Sequence, residues 1–571
     1  MLSRFLNPVR QLFSPQTSLI WAVTLWLMLF GNQALLSRLW QLYPLGMHQT
    51  GLLISLVLFF TLATAVWLLL ITHGRMARWL LSITLIISAA AGFYMHQYGI
   101  IIDTVMLDNF IQTDSKEIAG LFSWEMVLYL GLFGILPALW VFFKAPSSCF
   151  VRERLSKRAL HIGLLLALMV GCVLPQSAGF ASFVREHKLV RMYANPTFVH
   201  YSLIKWGTQQ FRLPESRVIV GVAKDAKRIV TGGKHELIIV VVGETARYDR
   251  FSLNGYHKLT NPRLAQEQVL SFSQVSSCGT STGVSVPCMF SALGRREYSE
   301  DKAKHMENAL DVLKDHGVNV LWRDNNSDSK GVAIRMPYED YQTPARNTVC
   351  DSGECRDVGM LKGLEKVVAG HQKQDMLIVL HQMGNHGPEY YRRYPKTFEK
   401  FTPACHKSDL SQCSQEEIDN AYDNAILYTD YFLSQVISFL KQYDNSHETA
   451  MLYVADHGES LGEHGIYLHA APYVIAPKEQ THVPAILWLG QHFDYQLSQI
   501  RPYANFPLSH DDLFCTLLTA YELKSEVCHA EVGWLMANQD VRAQLHLPPL
   551  ATRHAQHVEL NMPNSRPAGK S

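Results

Sequence analysis

The stretch LIIVVVGETAR spans residues 237–247 and decides the fold of the second half of the chain. A run of six apolar residues meets a glycine and a carboxylate, which is typical of a strand buried on both faces. Similar short runs alternate with helix-like stretches and predict a largely parallel sheet flanked by helices. The other predicted strands are 318–322, 376–380, 450–454 and 484–488, and the predicted helices are 302–316, 357–368 and 415–443.

Polar side chains follow three of these strands at the point where each strand ends. Glu244 follows the first, the segment 381–386 follows another, and Asp456 with His457 follows a third. The carboxyl ends of parallel strands meet at one edge of a sheet, where ligands gather. One such carboxylate is more often a helix cap, but several carboxylate and imidazole donors together are what Zn²⁺ binds. The pattern therefore predicts a metal site at this edge.

A Ser/Thr-rich loop, CGTSTGVSVPC at residues 278–288, opens another helix-like stretch. Such a loop often only caps a helix, but a helix N-terminus also receives phosphoryl oxygens. An alcohol is a weak nucleophile until a base or a metal activates it, and the predicted metal would do so. Spacing does not choose between the rival hydroxyls of this loop, which are Thr280, Ser281, Thr282 and Ser285.

The first third of the chain has the composition of a membrane domain. A helix needs about 20 apolar residues to span a bilayer, with a range of roughly 17 to 25. Lys and Arg concentrate before the first apolar segment and in alternate loops, and short cytoplasmic loops carry this excess. With five spans, everything after Pro175 is expected outside the cytoplasm. The predicted spans are 19–36, 51–71, 79–95, 124–143 and 159–175.

Cysteine placement agrees with an oxidising compartment, where disulfides persist. Cys149 and Cys172 fall in the membrane part and are expected to be free. The other eight fall after residue 270 in close pairs, which favours small disulfide-closed loops over a zinc cluster, although sequence alone does not prove the connectivity. The expected pairs are Cys278 with Cys288, Cys350 with Cys355, Cys405 with Cys413, and Cys515 with Cys528.

Four regions follow from these patterns. Residues 1–178 are predicted to form a transmembrane domain of five helices, and residues 179–234 amphipathic bridging helices and a linker. Residues 235–546 are predicted to form the extracytoplasmic catalytic domain, and residues 547–571 a disordered tail. The formal net charge of +1 gives no bulk attraction to nucleic acid, so no nucleic-acid partner is expected.

Together, these segments resemble the bacterial phosphoethanolamine transferases that modify lipopolysaccharide, within the alkaline phosphatase superfamily of sulfatase-like fold. The resemblance runs from the first span to about Cys528. It implies an alkaline phosphatase-like α/β domain in the periplasm, anchored in the bacterial inner membrane by several spans. Its motifs, besides the spans, are the loop 278–288, VGETAR at 242–247, GNHGP at 384–388 and ADHGES at 455–460.

The resemblance also implies a role for each residue of the metal site. Thr282 matches the family nucleophile, which contacts the metal, and Glu244, Asp456 and His457 match zinc ligands around it. The implied cofactor is one zinc ion at the nucleophile, and a second zinc during turnover is a further option.

Four other residues match positions around the transferred group. His386 and His469 match histidines that hold a second zinc or the transferred group, and either would shuttle a proton in catalysis. Asn326 and Lys330 match positions that contact phosphoethanolamine. Lys330 would offer its positive charge to a phosphate oxygen.

The implied reaction is a two-step transfer, through a phosphoethanolamine-threonine intermediate, from phosphatidylethanolamine to lipid A. It would lower the negative surface charge and give resistance to polymyxin and cationic peptides, and we expect a monomer.

Alternatives on the same fold are transfer to a core sugar or another glycan, a glycerol-phosphate transferase, and a phosphatase. A sulfatase would need Cys or Ser followed by Pro and Arg, which this loop lacks. A non-enzymatic membrane scaffold would have lost part of the metal set.

Overall fold

The computed structural model forms two compact units. The first contains Met1–Leu213 and two later segments, Lys407–Gln415 and Ser460–Pro477. The second contains the ranges Pro214–His406, Glu416–Glu459 and Lys478–Ser571. The tail predicted at 547–571 lies outside the residues that the structure describes, which are 14–44, 50–112, 123–151, 153–210, 219–229, 233–351, 353–528 and 534.

Apolar helices make up most of the first unit. Among the described residues, four helices are long and apolar enough to cross a membrane, and a bent pair gives a fifth if it counts as one span. The bent pair consists of α1 (Pro15–Trp26), which continues as a π-helix over Leu27–Gly31, and α2 (Gln33–Leu42). The four single helices are α3 (Thr50–Ile71), α4 (Met76–Gln97), α5 (Trp124–Lys144) and α6 (Leu155–Gln176).

The first predicted span, 19–36, is therefore wrong as one straight helix, because the chain bends by 65° at Asn32. The Asn32 side-chain amide donates to the Leu27 carbonyl at 2.9 Å, and its Oδ1 accepts from the Asn195 N–H at 2.9 Å. Asn195 in turn donates to the Gly31 carbonyl at 2.9 Å. These two asparagines satisfy backbone groups that the bend releases, which an environment without water requires.

Three shorter helices follow the last span, where the sequence predicts amphipathic helices. Their apolar residues do not all face outward, because Phe180, Phe183 and Tyr193 are buried in one cluster with Leu35 and Leu56 of the spans. This burial ties the helices to the bundle of the first unit. The helices are Ser177–Glu186, Lys188–Met192 and Thr197–Gln210.

The two later segments of the first unit are held by hydrogen bonds to the ends of the spans. The Gln97 side chain donates to Asp409 at 2.7 Å, and the Tyr467 N–H donates to the Tyr98 carbonyl at 2.8 Å. Ile475 packs against the same apolar cluster as the shorter helices. No sequence pattern indicated that residues so far along the chain would belong to the membrane unit.

A seven-stranded sheet forms the centre of the second unit. Its strands are β1 (His235–Gly243), β2 (Val269–Phe272), β3 (Asn319–Asp324), β4 (Tyr338–Asp340), β5 (Met376–His381), β6 (His447–Ala455) and β7 (Ala485–Leu489). They lie side by side in the order β2-β7-β6-β1-β5-β3-β4. The pairs from β6 to β4 are parallel, which confirms most of the predicted sheet, whereas β7 runs antiparallel between β6 and β2. All five predicted strands are present, and sequence analysis missed β2 and β4.

The predicted helices are confirmed in one case and corrected in two. Gln415–Lys441 is one long helix, as expected. The predicted helix 302–316 is two helices, because Asn308 caps the second with its side chain. The predicted helix 357–368 is a 3₁₀ turn and a helix separated by Gly363, whose φ of 76° favours glycine. The broken elements are Glu300–Lys304 with Ala309–Asp315, and Asp357–Leu361 with Leu364–Ala369.

The eight predicted disulfide cysteines are all bonded. The Cys278–Cys288, Cys350–Cys355 and Cys515–Cys528 pairs form as expected. Cys405 and Cys413 are also disulfide-bonded, and Cys149 and Cys172 are free thiols. The three pairs Cys278–Cys288, Cys350–Cys355 and Cys515–Cys528 lie within the second unit, where closing short loops restricts the unfolded chain and stabilises the fold.

The amino ends of the central strands carry carboxylates that the fold places side by side. Register between β1 and β6 sets Glu236 opposite Glu448, and both are buried. Burial, together with Asp375, raises the pKa of Glu236 to about 9. Burial and the charge of Asp494 raise the pKa of Glu448 to about 7. A carboxyl group with a raised pKa stabilises the fold at low pH, and this stabilisation is lost as pH rises through the folded pKa.

We predict that Glu448→Gln stabilises the protein increasingly as pH rises from 5 to 8. The amide has no proton to lose, so the variant avoids an ionised carboxylate at a buried position. The Tm of the variant minus that of the wild type should grow with pH, by roughly 2–4 °C for each kcal/mol of unfolding free energy that the variant keeps and the wild type loses. Glu300→Gln, at an exposed partner of Lys304, should show no such trend, and a difference independent of pH for Glu448→Gln would contradict the prediction.

Candidate active site

Two neighbouring parallel strands end at the same level of the sheet. β1 and β6 pair so that Gly243 lies opposite Ala455. The next residues are Glu244 on one strand and Asp456 with His457 on the other, and all three side chains are fully buried. The strand pairing therefore brings together the donors that the sequence predicted at this edge.

The three donors lie close enough to share one metal ion. One ligand atom from each of Glu244, Asp456 and His457 lies within 4.8 Å of the others. His457 Nε2 is 3.5 Å from Glu244 Oε1 and 3.3 Å from Asp456 Oδ2. Two carboxylates and an imidazole are donors that suit Zn²⁺ and similar divalent metals.

Each donor presents one atom that suits a metal. His457 Nδ1 bonds to the Gly458 carbonyl at 2.9 Å, which leaves the lone pair on Nε2. Asp456 Oδ1 accepts from the N–H groups of Thr245 at 3.2 Å and of His457 at 2.7 Å. Asp456 Oδ2 and Glu244 Oε1 are buried with no hydrogen-bond donor among the described residues. Buried polar atoms are normally satisfied, so a bound cation explains these two oxygens.

Electrostatics also favours a cation at this place. Burial, reinforced by the charge of Glu244, raises the pKa of Asp456 well above its ordinary value. Two like charges in a buried site destabilise each other's ionised forms. A divalent cation between the carboxylates reverses this effect because it is the largest charge in the site.

Thr282 is the hydroxyl that the fold brings to the metal donors. It begins the helix Thr282–Met289, is 8% exposed, and donates to Glu244 Oε2 at 3.1 Å. Its Oγ1 is also 3.4 Å from His457 Nε2. The rival hydroxyl of Ser285 instead accepts from the Gly279 N–H at 2.9 Å, within the loop. The tertiary structure thus favours Thr282 where spacing left the choice open.

The Asn326 side chain lies in this site, where its amide contacts the candidate metal ligand Glu244, whereas the resemblance implied a contact with phosphoethanolamine. Its Nδ2 donates to Glu244 Oε2 at 2.7 Å and to the Gln382 carbonyl at 2.8 Å. The Asn326 N–H donates to Asp324 Oδ1 at 2.9 Å, and Asp324 Oδ2 bonds to His381 Nδ1 at 2.9 Å. Sequence analysis missed Asp324, although it ends β3 just as Glu244 follows β1. These bonds hold Glu244 in place.

The loop after β5 packs directly on the backbone of Glu244. Asp357 accepts from the N–H groups of Met383 at 2.8 Å and Gly384 at 3.1 Å, which fixes the loop. Gly384 has a φ of +51°, and a Cβ there would lie 2.9 Å from the Glu244 carbonyl oxygen. Only glycine fits such a conformation and approach. His386 follows two residues later and is buried.

Lys330 and His469 are placed differently from the metal donors. Lys330 is half-buried, and its ammonium donates to the Ser327 carbonyl at 2.9 Å. His469 is half-buried in the segment Ser460–Pro477 of the first unit. Their predicted contacts with the transferred group, like those of His386, stay predictions.

We predict that Glu244→Gln and Asp456→Asn weaken metal binding by on the order of 10²-fold, because each removes a charged ligand from a buried site. Purified full-length protein would be dialysed against buffered Zn²⁺ and its metal content measured by elemental analysis. Glu236→Gln is the matched control, since it changes a buried carboxylate at the other end of β1. Equal zinc content in all four proteins would contradict the assignment.

Comparison with known proteins covers both units. Residues 59–211 match the phosphoethanolamine transferase EptA/EptB family, and residues 236–523 match the sulfatase family. Phosphatidylethanolamine transferase Mcr-1 of Escherichia coli is 40% identical over 519 residues, covering 89% of this chain and 95% of its own. Phosphoethanolamine transferase EptA of Salmonella typhimurium is 39% identical over 470 residues, covering 80% and 83%.

A solved structure extends the likeness to the whole fold. The integral membrane lipooligosaccharide phosphoethanolamine transferase A of Neisseria meningitidis superposes with a TM-score of 0.83 at 32% identity, covering 89% of this chain and 96% of its own. The likeness covers residues of both units. The chain belongs to the phosphoethanolamine transferase family, within the alkaline phosphatase superfamily.

Proposed function

We propose that this protein transfers phosphoethanolamine from phosphatidylethanolamine to lipid A in the bacterial inner membrane. The observation that carries the proposal is the Thr282 hydroxyl, held 3.1 Å from Glu244 and 3.4 Å from His457 beside a buried metal-donor set. Relatives named for phosphoethanolamine transfer support the transferred group. The periplasmic side of the membrane carries both lipid substrates and the catalytic unit.

We propose zinc as the metal, with Glu244, Asp456, His457 and Thr282 as its ligands. When bound, Zn²⁺ would lower the pKa of the threonine hydroxyl and offset negative charge on the phosphoryl group. The protein's own contribution is to orient the ligands: Gly458 fixes the His457 ring, and backbone N–H groups fix Asp456. Such preorganisation is what makes a charged site effective in catalysis.

The reaction then has two displacements at phosphorus. Thr282 Oγ1 forms a bond to phosphorus, the bond from phosphorus to the glycerol oxygen breaks, and diacylglycerol leaves with a proton. A phosphate oxygen of lipid A next forms a bond to this phosphorus, the bond from phosphorus to Thr282 Oγ1 breaks, and the threonine oxygen takes back the proton that it lost in the first step. Glu244 Oε2, which accepts the Thr282 hydroxyl hydrogen bond, is placed to receive its proton.

The residues around the transferred group would act on its charges. His386 or His469 would carry a proton to the leaving oxygen and from the attacking one. Lys330 would bind an anionic phosphate oxygen, which requires its ammonium to exchange the Ser327 carbonyl for the ligand. We expect the enzyme to work as a monomer and to reduce the negative charge of the outer surface, which weakens binding of polymyxin and other cationic peptides.

A second acceptor is the main alternative. Kdo(2)-lipid A phosphoethanolamine 7''-transferase of Escherichia coli is 26% identical over 485 residues, covering 79% of this chain, and its name indicates a sugar acceptor. The relatives with higher identity are named for phosphoethanolamine transfer without a sugar position, and we keep a lipid A phosphate as the proposed acceptor. Mass spectrometry of lipid A and core from cells with and without the protein distinguishes the two acceptors.

We predict that Thr282→Ala abolishes transfer, lowering the rate by at least about 10³-fold, because the variant loses the hydroxyl that lies 3.1 Å from Glu244 and 3.4 Å from His457. Incubation with phosphatidylethanolamine should add the mass of one phosphoethanolamine group to Thr282 in the wild type and nothing in the variant. Thr282→Ser retains an alcohol and should still form the adduct. An adduct on Ser281 or Ser285, or activity of Thr282→Ala, would overturn the assignment.

One more residue connects the nucleophile loop to the metal donors. His510 Nδ1 accepts from the Cys278 N–H at 3.1 Å, and its Nε2 donates to the Ala455 carbonyl at 2.9 Å. Cys278 opens the loop that carries Thr282, and Ala455 immediately precedes Asp456. Burial lowers the pKa of His510 to about 4, so the ring stays neutral and keeps both bonds at physiological pH. Sequence analysis missed this histidine because nothing near it has a catalytic pattern.

We predict that His510→Gln lowers kcat by roughly 10- to 100-fold while KM and zinc content change little. The amide does not make both bonds, so the nucleophile shifts relative to the metal donors, and small misplacements of reacting groups are costly. His316→Gln is the control, because His316 likewise bonds to the backbone through both ring nitrogens, in its case to the carbonyls of Val312 and Ala226. Equal effects of the two variants, or loss of zinc in His510→Gln, would show general destabilisation instead.

A further inference from the structure

An open cavity of about 920 Å³ lies at the inner ends of the membrane helices. One wall comes from the connection between α3 and α4 and the first turn of α4. The other comes from the short turn Ser147–Phe150 that follows α5. Its lining residues are His73, Gly74, Arg75, Arg78, Trp79, Ser147, Phe150 and Val151.

The charges that line this cavity are positive. Arg75 is exposed and Arg78 half-buried, and no carboxylate is among the lining residues. The Arg78 guanidinium stacks over the Phe150 ring at 4.6 Å and lies 5.9 Å from the Phe142 ring centre. A stacked guanidinium keeps its planar edge for bidentate bonds to an anion, and phosphate fits this edge well.

The border of the cavity is apolar and aromatic. Trp79 is 55% exposed, Val151 64% and the neighbouring Phe143 70%. Trp79 also meets Phe142 edge-on with ring centres 4.5 Å apart. Exposed aromatic residues beside arginines are typical of the boundary between acyl chains and headgroups. A small soluble anion would not need such a border, whereas an amphiphile with a charged headgroup would.

The basic loops put this cavity on the cytoplasmic side of the membrane, opposite to the catalytic unit. The cytoplasmic leaflet carries anionic phospholipids, and basic pockets between membrane helices bind their headgroups. We infer that this cavity binds the phosphate of an anionic phospholipid in the cytoplasmic leaflet, with Arg75 and Arg78 as its cationic ligands. This lipid is distinct from the donor and acceptor of the proposed reaction. It would join α4 to the turn after α5 and so stabilise the bundle.

The test is a lipid titration of the full-length protein in detergent micelles, followed by native mass spectrometry. Dioleoylphosphatidylglycerol should bind to the wild type at least about tenfold more tightly than to the double variant Arg75→Gln/Arg78→Gln, since each basic group near a lipid headgroup contributes on the order of a few-fold in affinity. Lys144→Gln/Lys157→Gln is the matched control. It removes the same charge from the same side of the membrane, and neither lysine lines the cavity.

Two further variants keep the test informative if the double variant does not fold. Ser147→Trp fills the cavity without changing charge and should weaken binding as well. Arg78→Lys keeps the charge but loses the planar edge, so its affinity should lie between those of the wild type and the double variant. Inorganic phosphate at millimolar concentration should not displace the lipid, because it has no acyl chains for the apolar border.

Three results would overturn the inference. Equal loss of binding in the lysine control would show that general inner-leaflet electrostatics, rather than this cavity, holds the lipid. Equal affinity for dioleoylphosphatidylcholine would show that the arginines do not select an anionic headgroup. Displacement of the lipid by inorganic phosphate would mean that the site takes free phosphate instead.

Discussion

The register between β1 and β6 is the constraint on which the rest of the catalytic unit depends. It sets Gly243 opposite Ala455, so Glu244 and Asp456 leave the sheet side by side and fully buried. Two carboxylates in that position repel each other, and burial alone would neutralise one of them. A metal ion at this place would resolve the conflict, because its charge would favour both ionised groups and it would use the two oxygens that have no hydrogen-bond donor among the described residues. In the proposed reaction, the same charge would activate the Thr282 hydroxyl as a nucleophile.

A layer of hydrogen bonds holds this arrangement in shape. Asn326 supports Glu244, and Asp324 supports Asn326, while His510 joins the nucleophile loop to the strand that precedes Asp456. Asn326 contacts the candidate metal ligand Glu244 directly, His510 contacts the backbone beside Asp456, and Asp324 acts through Asn326. Groups of this kind fix geometry before the substrate binds, which lowers the reorganisation needed during the reaction.

The membrane unit contains more of the chain than its spans. Residues Ser460–Pro477 belong to it, and the boundary between Glu459 and Ser460 falls inside the ADHGES motif at 455–460. The chain therefore runs from the metal donors into a segment bonded to Tyr98 at the end of α4. For an enzyme with two lipid substrates, such continuity links the reacting groups to the part of the protein that meets the bilayer. The inner-leaflet cavity gives that bundle a second, separate contact with lipid.

By itself, the sequence determined five of the seven strands of the sheet, the four straight apolar spans, the close spacing of the cysteines that pair, and the polar residues at the strand ends. These are local signals, since runs of β-branched residues, long apolar segments and polar residues at strand ends are visible within a few positions. Only the tertiary structure decided that the first span bends at Asn32 and that β7 is antiparallel. Spacing left the hydroxyl of the loop open, the family resemblance selected Thr282, and the fold places Thr282 against Glu244. It also decided the positions of Asp324 and His510. These features depend on contacts between residues far apart in the chain, and no local pattern specifies which distant partner satisfies a buried polar group.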